Sequence, residues 1–167
     1  SNSTLSGADA SNYTLSQPTG LTANIYPKAI TVSSASANNK VYDATNNAVI
    51  TGTLAGVIGS DNVTLNGVGV FADVNVGNGI SVTSTSTLSG AQSANYTLTQ
   101  PTGLTANITA KSLTVNVVVN NKVYDGNTSA TISSAVLNGV IGSQDVTLSG
   151  TPSASFASAS VGNNKAV

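Results

Sequence analysis

Cysteine, methionine, histidine, tryptophan, arginine and glutamate are all missing from this chain of 167 residues. Without cysteine there is no disulfide framework, the usual staple of small secreted domains. Without histidine or cysteine, the many serine and threonine hydroxyls have no imidazole or thiol partner, and no Gly-x-Ser-x-Gly elbow occurs. Charge is scarce: five lysines and six aspartates make up 7% of the residues, against about 25% in ordinary globular domains. Lys28, Lys40, Lys111, Lys122 and Lys165 stand singly, so the clustered cations of a nucleic-acid binder are absent. No apolar run approaches the ~20 residues of a membrane-spanning helix. With neither an initiating methionine nor a secretory leader, the expectation is an internal piece of something longer.

What is there is Ser, Thr, Asn, Gly, Ala and Val. So few aromatics would suit a disordered chain. A net charge of only −1 and 40% hydrophobic residues, many of them β-branched, instead favour folded strands. The chain also repeats itself. SNSTLSGADASNYTLSQPTGLTANI from Ser1 returns as STSTLSGAQSANYTLTQPTGLTANI from Ser84, so Tyr13 maps to Tyr96 at an offset of 83. NNKVYDA at Asn38 returns as NNKVYDG at Asn120, offset 82; GVIGSDNVTLNG at Gly56 returns as GVIGSQDVTLSG at Gly139, offset 83. Phe71 pairs with Phe156 and Val76 with Val161, offset 85. Ser1 aligns with Ser84 and Val167 with Val82, a window of almost two periods. The slips in offset are expected in loops, because one residue added to a paired strand turns its side chains to the wrong face.

Period-2 patterning marks the strands. Leu113, Val115, Val117 and Val119 alternate, as do Leu21, Ala23 and Ile25. Further candidates are 40–42, 48–53, 63–65, 68–71 and 80–87. Asn66-Gly67, Asn78-Gly79, Asn138-Gly139 and the two Gln-Pro-Thr-Gly stretches read as turns. Thr53–Ser60 has room for one short helical turn. Short strands at this spacing, without a 3.6-residue period, predict small Ig-like β-sandwiches in tandem; the alternative, a β-grasp module, needs a helix that the pattern lacks. Both halves are expected to bury their own aliphatic centre.

Of the six aspartates only Asp43 and Asp125 recur; Asp9 faces Gln92, Asp61 faces Gln144 and Asp73 faces Ser158. Paired catalytic carboxylates or a calcium site would need denser acids, so no catalytic, cofactor or metal residue is expected. Asp43 and Asp125 should accept hydrogen bonds from the turn that follows. The rings of Tyr42, Tyr124, Tyr13 and Tyr96 should lie in the core with hydroxyls at a polar edge. Alanine at position 44, where the second copy has Gly126, implies that this turn does not demand a positive φ. Lys40 and Lys122 recur beside asparagines, the makings of a lysine–asparagine crosslink. Six Asn-x-Ser/Thr triplets, at Asn2, Asn12, Asn62, Asn95, Asn107 and Asn127, are ordinary for this composition. Thr83, Thr85 and Thr87 read as a surface strand.

LSGA, NYTL, QPTGLTANI, KVYDG, GVIGS and the later Phe and Val-Gly-Asn together resemble the YDG-type repeats of large bacterial surface proteins, among them filamentous-haemagglutinin-like and two-partner-secreted exoproteins. The resemblance spans the whole chain. It implies a compact all-β module of about 83 residues with boundaries near Lys28 and Lys111: residues 1–27 the tail of one repeat, 28–110 a complete repeat, 111–167 the start of the next. It implies a stalk or scaffold in a secreted, cell-surface adhesin or biofilm matrix, whose partners are neighbouring repeats and whose glycan or host ligand sits on other domains. The lack of cysteine fits export. Two other readings are a filament subunit in which molecules donate strands to one another, and a carbohydrate-binding module, which would cluster exposed aromatics on one face.

Overall fold

A computed structural model describes residues 2–150 and 152–167; Ser1, aligned above with Ser84, lies outside the described residues. The centre of the molecule is a hairpin of two long strands, β1 (Lys28–Ala37) and β3 (Asn47–Ala55), with the two-residue β2 (Lys40–Val41) in the loop between them. Next come β4 (Thr64–Asn66), β5 (Val68–Phe71), β6 (Gly77–Ser84), β7 (Thr87–Ser89), β8 (Tyr96–Leu98) and β9 (Leu104–Thr109). Seven of these form one sheet in the order β2-β9-β6-β5-β3-β1-β8, and β4 pairs with β7 beside it. All pairings are antiparallel except the two outermost in the large sheet, β1 with β8 and β2 with β9, which are parallel. The sheet curls: β1 touches β9, although three strands separate them in the hydrogen-bonded order.

The curl encloses Ala48, Ile50, Phe71, Val82, Leu104, Ala106 and Ile108, and Tyr42, Ala35, Ala37 and Ile80 pack around them. Alternation explains which residues these are, since every second residue of β3, β5, β6 and β9 points inward. Each buried aliphatic or aromatic side chain of this size contributes about 1.5–3 kcal/mol. The all-β expectation holds, and the described residues contain no α-helix, only 3-10 turns at Ala10–Asn12 and Ser93–Asn95. Thr53–Ser60 holds no helical turn; it is the end of β3 and a loop.

The second copy repeats the hairpin. β10 (Thr114–Val119) pairs with β12 (Ile132–Asn138), and β11 (Ser129–Ala130) with β13 (Ala154–Ser155). Thr31 opposite Ala55 becomes Thr114 opposite Asn138, each shifted by 83. The centre does not repeat, however. Every buried residue lies between Ile30 and Ile108, so the expectation that both halves bury their own core is overturned among the described residues. The cause is a shortage of strands: residues 111–167 match only 28–82, and the strands that close the module, β8 and β9, come from the segment after Ser84. Residues 2–27 carry that closing sequence, yet their one regular element is the 3-10 turn Ala10–Asn12. Leu21–Ile25, expected as a strand, is unpaired, while its twin is β9.

The slips in repeat offset from 83 to 82 and back to 83 do not sit in loops. Between Thr31 and Ala37, β1 carries one residue more than β3 does across from it, and the register shifts between Ser33 and Ser36. In the second copy the extra residue has moved to the partner strand, β12, where the register shifts opposite Val118 and Val119. Both are β-bulges, the one device that lets a paired strand absorb a residue without reversing its faces downstream. In the first copy Ser34 takes up the left-handed conformation, φ 50°. Asn66-Gly67 is no hairpin turn; it passes the chain from β4, on β7, to β5, between β3 and β6.

Candidate functional site

The recurrent residues converge on one loop, built twice. In the first copy it leaves β2, turns at Asp43-Ala44 and enters β3. Asp43 Oδ1 accepts the Thr45 backbone N–H and the Thr45 hydroxyl, both at 2.9 Å, an Asx turn that stops the strand and reverses the chain. Lys40 lies over the turn. Its Nζ sits 2.7 Å from Asp43 Oδ1 and donates to Thr45 O (2.9 Å), Thr45 Oγ1 (2.9 Å) and Asn47 O (3.2 Å). From the other side the ammonium faces the Phe71 ring, 5.7 Å from its centroid.

The second copy reproduces this arrangement with Asn127 in the place of Thr45. Lys122 Nζ is 2.7 Å from Asp125 Oδ1, donates to Asn127 O, Asn127 Oδ1 and Ser129 O at 2.8–3.1 Å, and lies 5.9 Å from the Phe156 ring. Asp125 accepts from the Asn127 backbone N–H at 3.1 Å. The loop forms even where the core behind it is open, so its own hydrogen bonds specify it. The expectation for the two aspartates is met in geometry, with the lysine as a partner the pattern alone did not supply.

The lysine's hydrogen bond holds the Asp43 carboxyl down at about 2, helped by the Thr45 backbone N–H. Asp125 is lowered for the same reason, Lys122 first and Asn127 next. The contacts between each lysine and its aspartate are those of an ion pair. A depressed carboxyl stabilises the fold above its unfolded value of 3.8 and ceases to do so as pH falls towards 2. Unfolding by urea between pH 5 and pH 2 should therefore show a loss of stability across that window, which Asp43→Asn and Asp125→Asn together flatten.

The reading of Ala44 is overturned. Its φ is +61°, and Gly126 at the same place has +78°. The clamp of Lys40, Asp43 and Thr45 imposes the left-handed conformation on a residue whose Cβ opposes it. Ala44→Gly is expected to stabilise the chain by about 1 kcal/mol, and Gly126→Ala to weaken its own loop by a similar amount, read from urea midpoints.

The tyrosines divide. Tyr96 is buried, 6% exposed, and donates its hydroxyl to Asp61 Oδ2 at 2.5 Å while accepting the Ile58 N–H at 3.0 Å. Tyr42 is half-buried against the core. Tyr13 and Tyr124, expected to match them, are 71% and 65% exposed. Their rings have the same sequence neighbours but lack the strands that would cover them. The Asp61 carboxylate raises the Tyr96 hydroxyl above its usual value, so its contribution is complete below pH 10 and fades as pH rises further.

Two sets of residues escaped the sequence reading. Gln100 takes the Ser84 hydroxyl at 2.6 Å on Oε1 and donates Nε2 to Ser86 O at 2.7 Å, pinning the closing segment. Gln92 Oε1 accepts the Asn62 N–H at 2.9 Å. Only the recurrence of Gln17 with Gln100 hinted at the first.

A tandem all-β repeat held together by a lysine-clamped Tyr-Asp loop is thus what the geometry defines. The YDG domain family matches residues 26–103 and again 109–167, and the chain belongs to it. No curated protein and no solved structure matches it.

Proposed function

We propose that this chain is a structural segment of a large protein exported by a bacterium and displayed outside the cell, where serial modules give reach, as the stalk of an adhesin or the body of a matrix fibre. One observation carries the reading: successive modules follow each other with almost no linker. β9 ends at Thr109 and β10 begins at Thr114, so residues 110–113 are all that separates them. Gln144 of the second copy also donates to the Tyr42 hydroxyl of the first, across that junction. A junction this short restricts bending, and stacked repeats add length in proportion to their number.

The chemistry of the motif supports the same reading. The lysine, the aspartate and the aromatic ring satisfy one another inside the loop, so its role is to hold the backbone. The near-neutral, hydroxyl-rich surface suits a spacer outside the cell, since it offers little to adhere to and little for salt to screen.

Small-angle scattering on chains of two, four and eight modules tests this. The longest dimension should grow by about 35 Å per module, the length of strands of this size. Growth that levels off, as in a collapsed cluster, would rule out a spacer.

A further inference from the structure

We infer that the complete module is built to bear tension along its length, with the strands on which load enters and leaves locked together in shear. The inference rests on the serial reading only for the direction of the load, which there enters at Lys28 and leaves at Thr109. β1 begins at Lys28 and β9 ends at Thr109. Four antiparallel steps lead from one to the other, through β3, β5 and β6, so the two strands point the same way. Neither is an edge strand. β1 lies between β3 and β8, and β9 between β2 and β6, which leaves the edges of the sheet to the short β2 and β8.

The two parallel pairings tie these strands to each other's continuation. β1 holds β8, with Lys28 opposite Tyr96, and β2 holds β9, with Lys40 opposite Ile108. The offset is 68 in both, so 96–109 follows 28–41 in one register around the curl. Thr99 N–H donates to Ile30 O at 2.8 Å, and Asn107 N–H to Asn39 Oδ1 at 2.7 Å. At the exit, Tyr42 N–H donates to Thr109 O at 2.8 Å, and the Thr109 hydroxyl to Lys40 O at 3.3 Å. The Tyr-Asp loop therefore closes on the residue through which the load departs. Its lysine clamp stiffens the strand end that takes the pull.

Register fixes how these bonds are loaded. Lys28 is level with Tyr96 and Thr109 with Val41, so the two points of attachment lie at opposite ends of the strands. A pull between them runs along the strand direction and draws β1 one way and β9 the other. Each must slide past neighbours on both sides, and the ladder bonds along it are strained together. A pull across the strands instead meets them one pair at a time. Rupture under load is governed by the unfolding rate. Bonds that must all yield before a strand can slide raise the barrier that sets this rate.

The chain has no cysteine, so introduced pairs give unique handles for single-molecule pulling. Pro27→Cys with Ala110→Cys loads the module along its strands. Val74→Cys with Ala110→Cys places both handles at one end, where Gly77 pairs with Ile108, and peels β9 from β6. The first direction should need several times the force of the second at one loading rate. Asn39→Ala with Thr109→Val removes two of the bonds near the exit. It should speed rupture in the first direction roughly five- to tenfold at fixed force. Equal forces in the two directions would overturn the inference, and so would an unchanged rupture rate in the double variant. Neither result touches the serial reading, which stands or falls on how arrays lengthen in scattering.

Discussion

Phe71→Ala should cost the chain about 3–5 kcal/mol, the range for removing a buried phenylalanine. Phe71 is one of the three largest fully buried side chains, and it shares the core cluster with Ile50 of β3, Val82 of β6 and Ile108 of β9. Its loss leaves a cavity at the centre of the module and also removes the ring that Lys40 faces. Against a total stability of about 5–15 kcal/mol for a domain of this kind, that is enough to unfold much of the population at moderate urea. The matching change, Phe156→Ala, should cost far less in dilute chain, because the ring there is only half-buried beside an open groove. Urea transitions of the two variants at one low concentration make the comparison, and equal losses would contradict the single-core architecture.

Gly67→Ala should be nearly as damaging, for a different reason. A Cβ at this position would lie 1.8 Å from the carbonyl oxygen of Ile50 and 2.8 Å from its carbon. The obstacle is backbone in the middle of β3, so no side chain can step aside. Gly67 also accepts the Ile50 N–H at 3.0 Å, and pushing the two chains apart breaks that bond. A loss on the order of 3 kcal/mol is expected from forced overpacking of this kind. Gly162→Ala is the control: its Cβ would meet only the Lys165 side chain, at 3.6 Å, and its melting point should not move.

Strand content, and through its twin Leu21–Ile25 the inward face of β9, were legible because alternation in sequence is alternation in space. β5 was placed without error, and β3, β4 and β6 within a few residues. β1 and β8 were not foreseen. Lys28–Ala37 shows little alternation, since its Ser and Ala residues mix on both faces and a bulge interrupts it. β8 has only three residues and becomes a strand by lying parallel to β1, where each residue pairs with one 68 positions earlier in the sequence. The Tyr-Asp loop announced itself by recurrence, yet its lysine could be recognised only once Lys40 was seen folded back over Asp43. The surroundings of Tyr13 and Tyr124 were misjudged because local sequence says what a residue can pack against, not whether that partner is within reach.

The travelling bulge has a consequence for fidelity. From Thr31 to Ala37 is seven residues, facing six from Ile50 to Ala55; from Thr114 to Val119 is six, facing seven from Ile132 to Asn138. Each native hairpin therefore joins a long strand to a short one, and the mismatch bends it. Cross the partners, and seven would face seven or six would face six, with no extra residue left to form the bulge. Neighbouring copies are thus keyed so that the first half of each module recognises its own mate, whereas their final segments are cut to one shared pattern. Private locks with a common key let near-identical repeats fold side by side without scrambling.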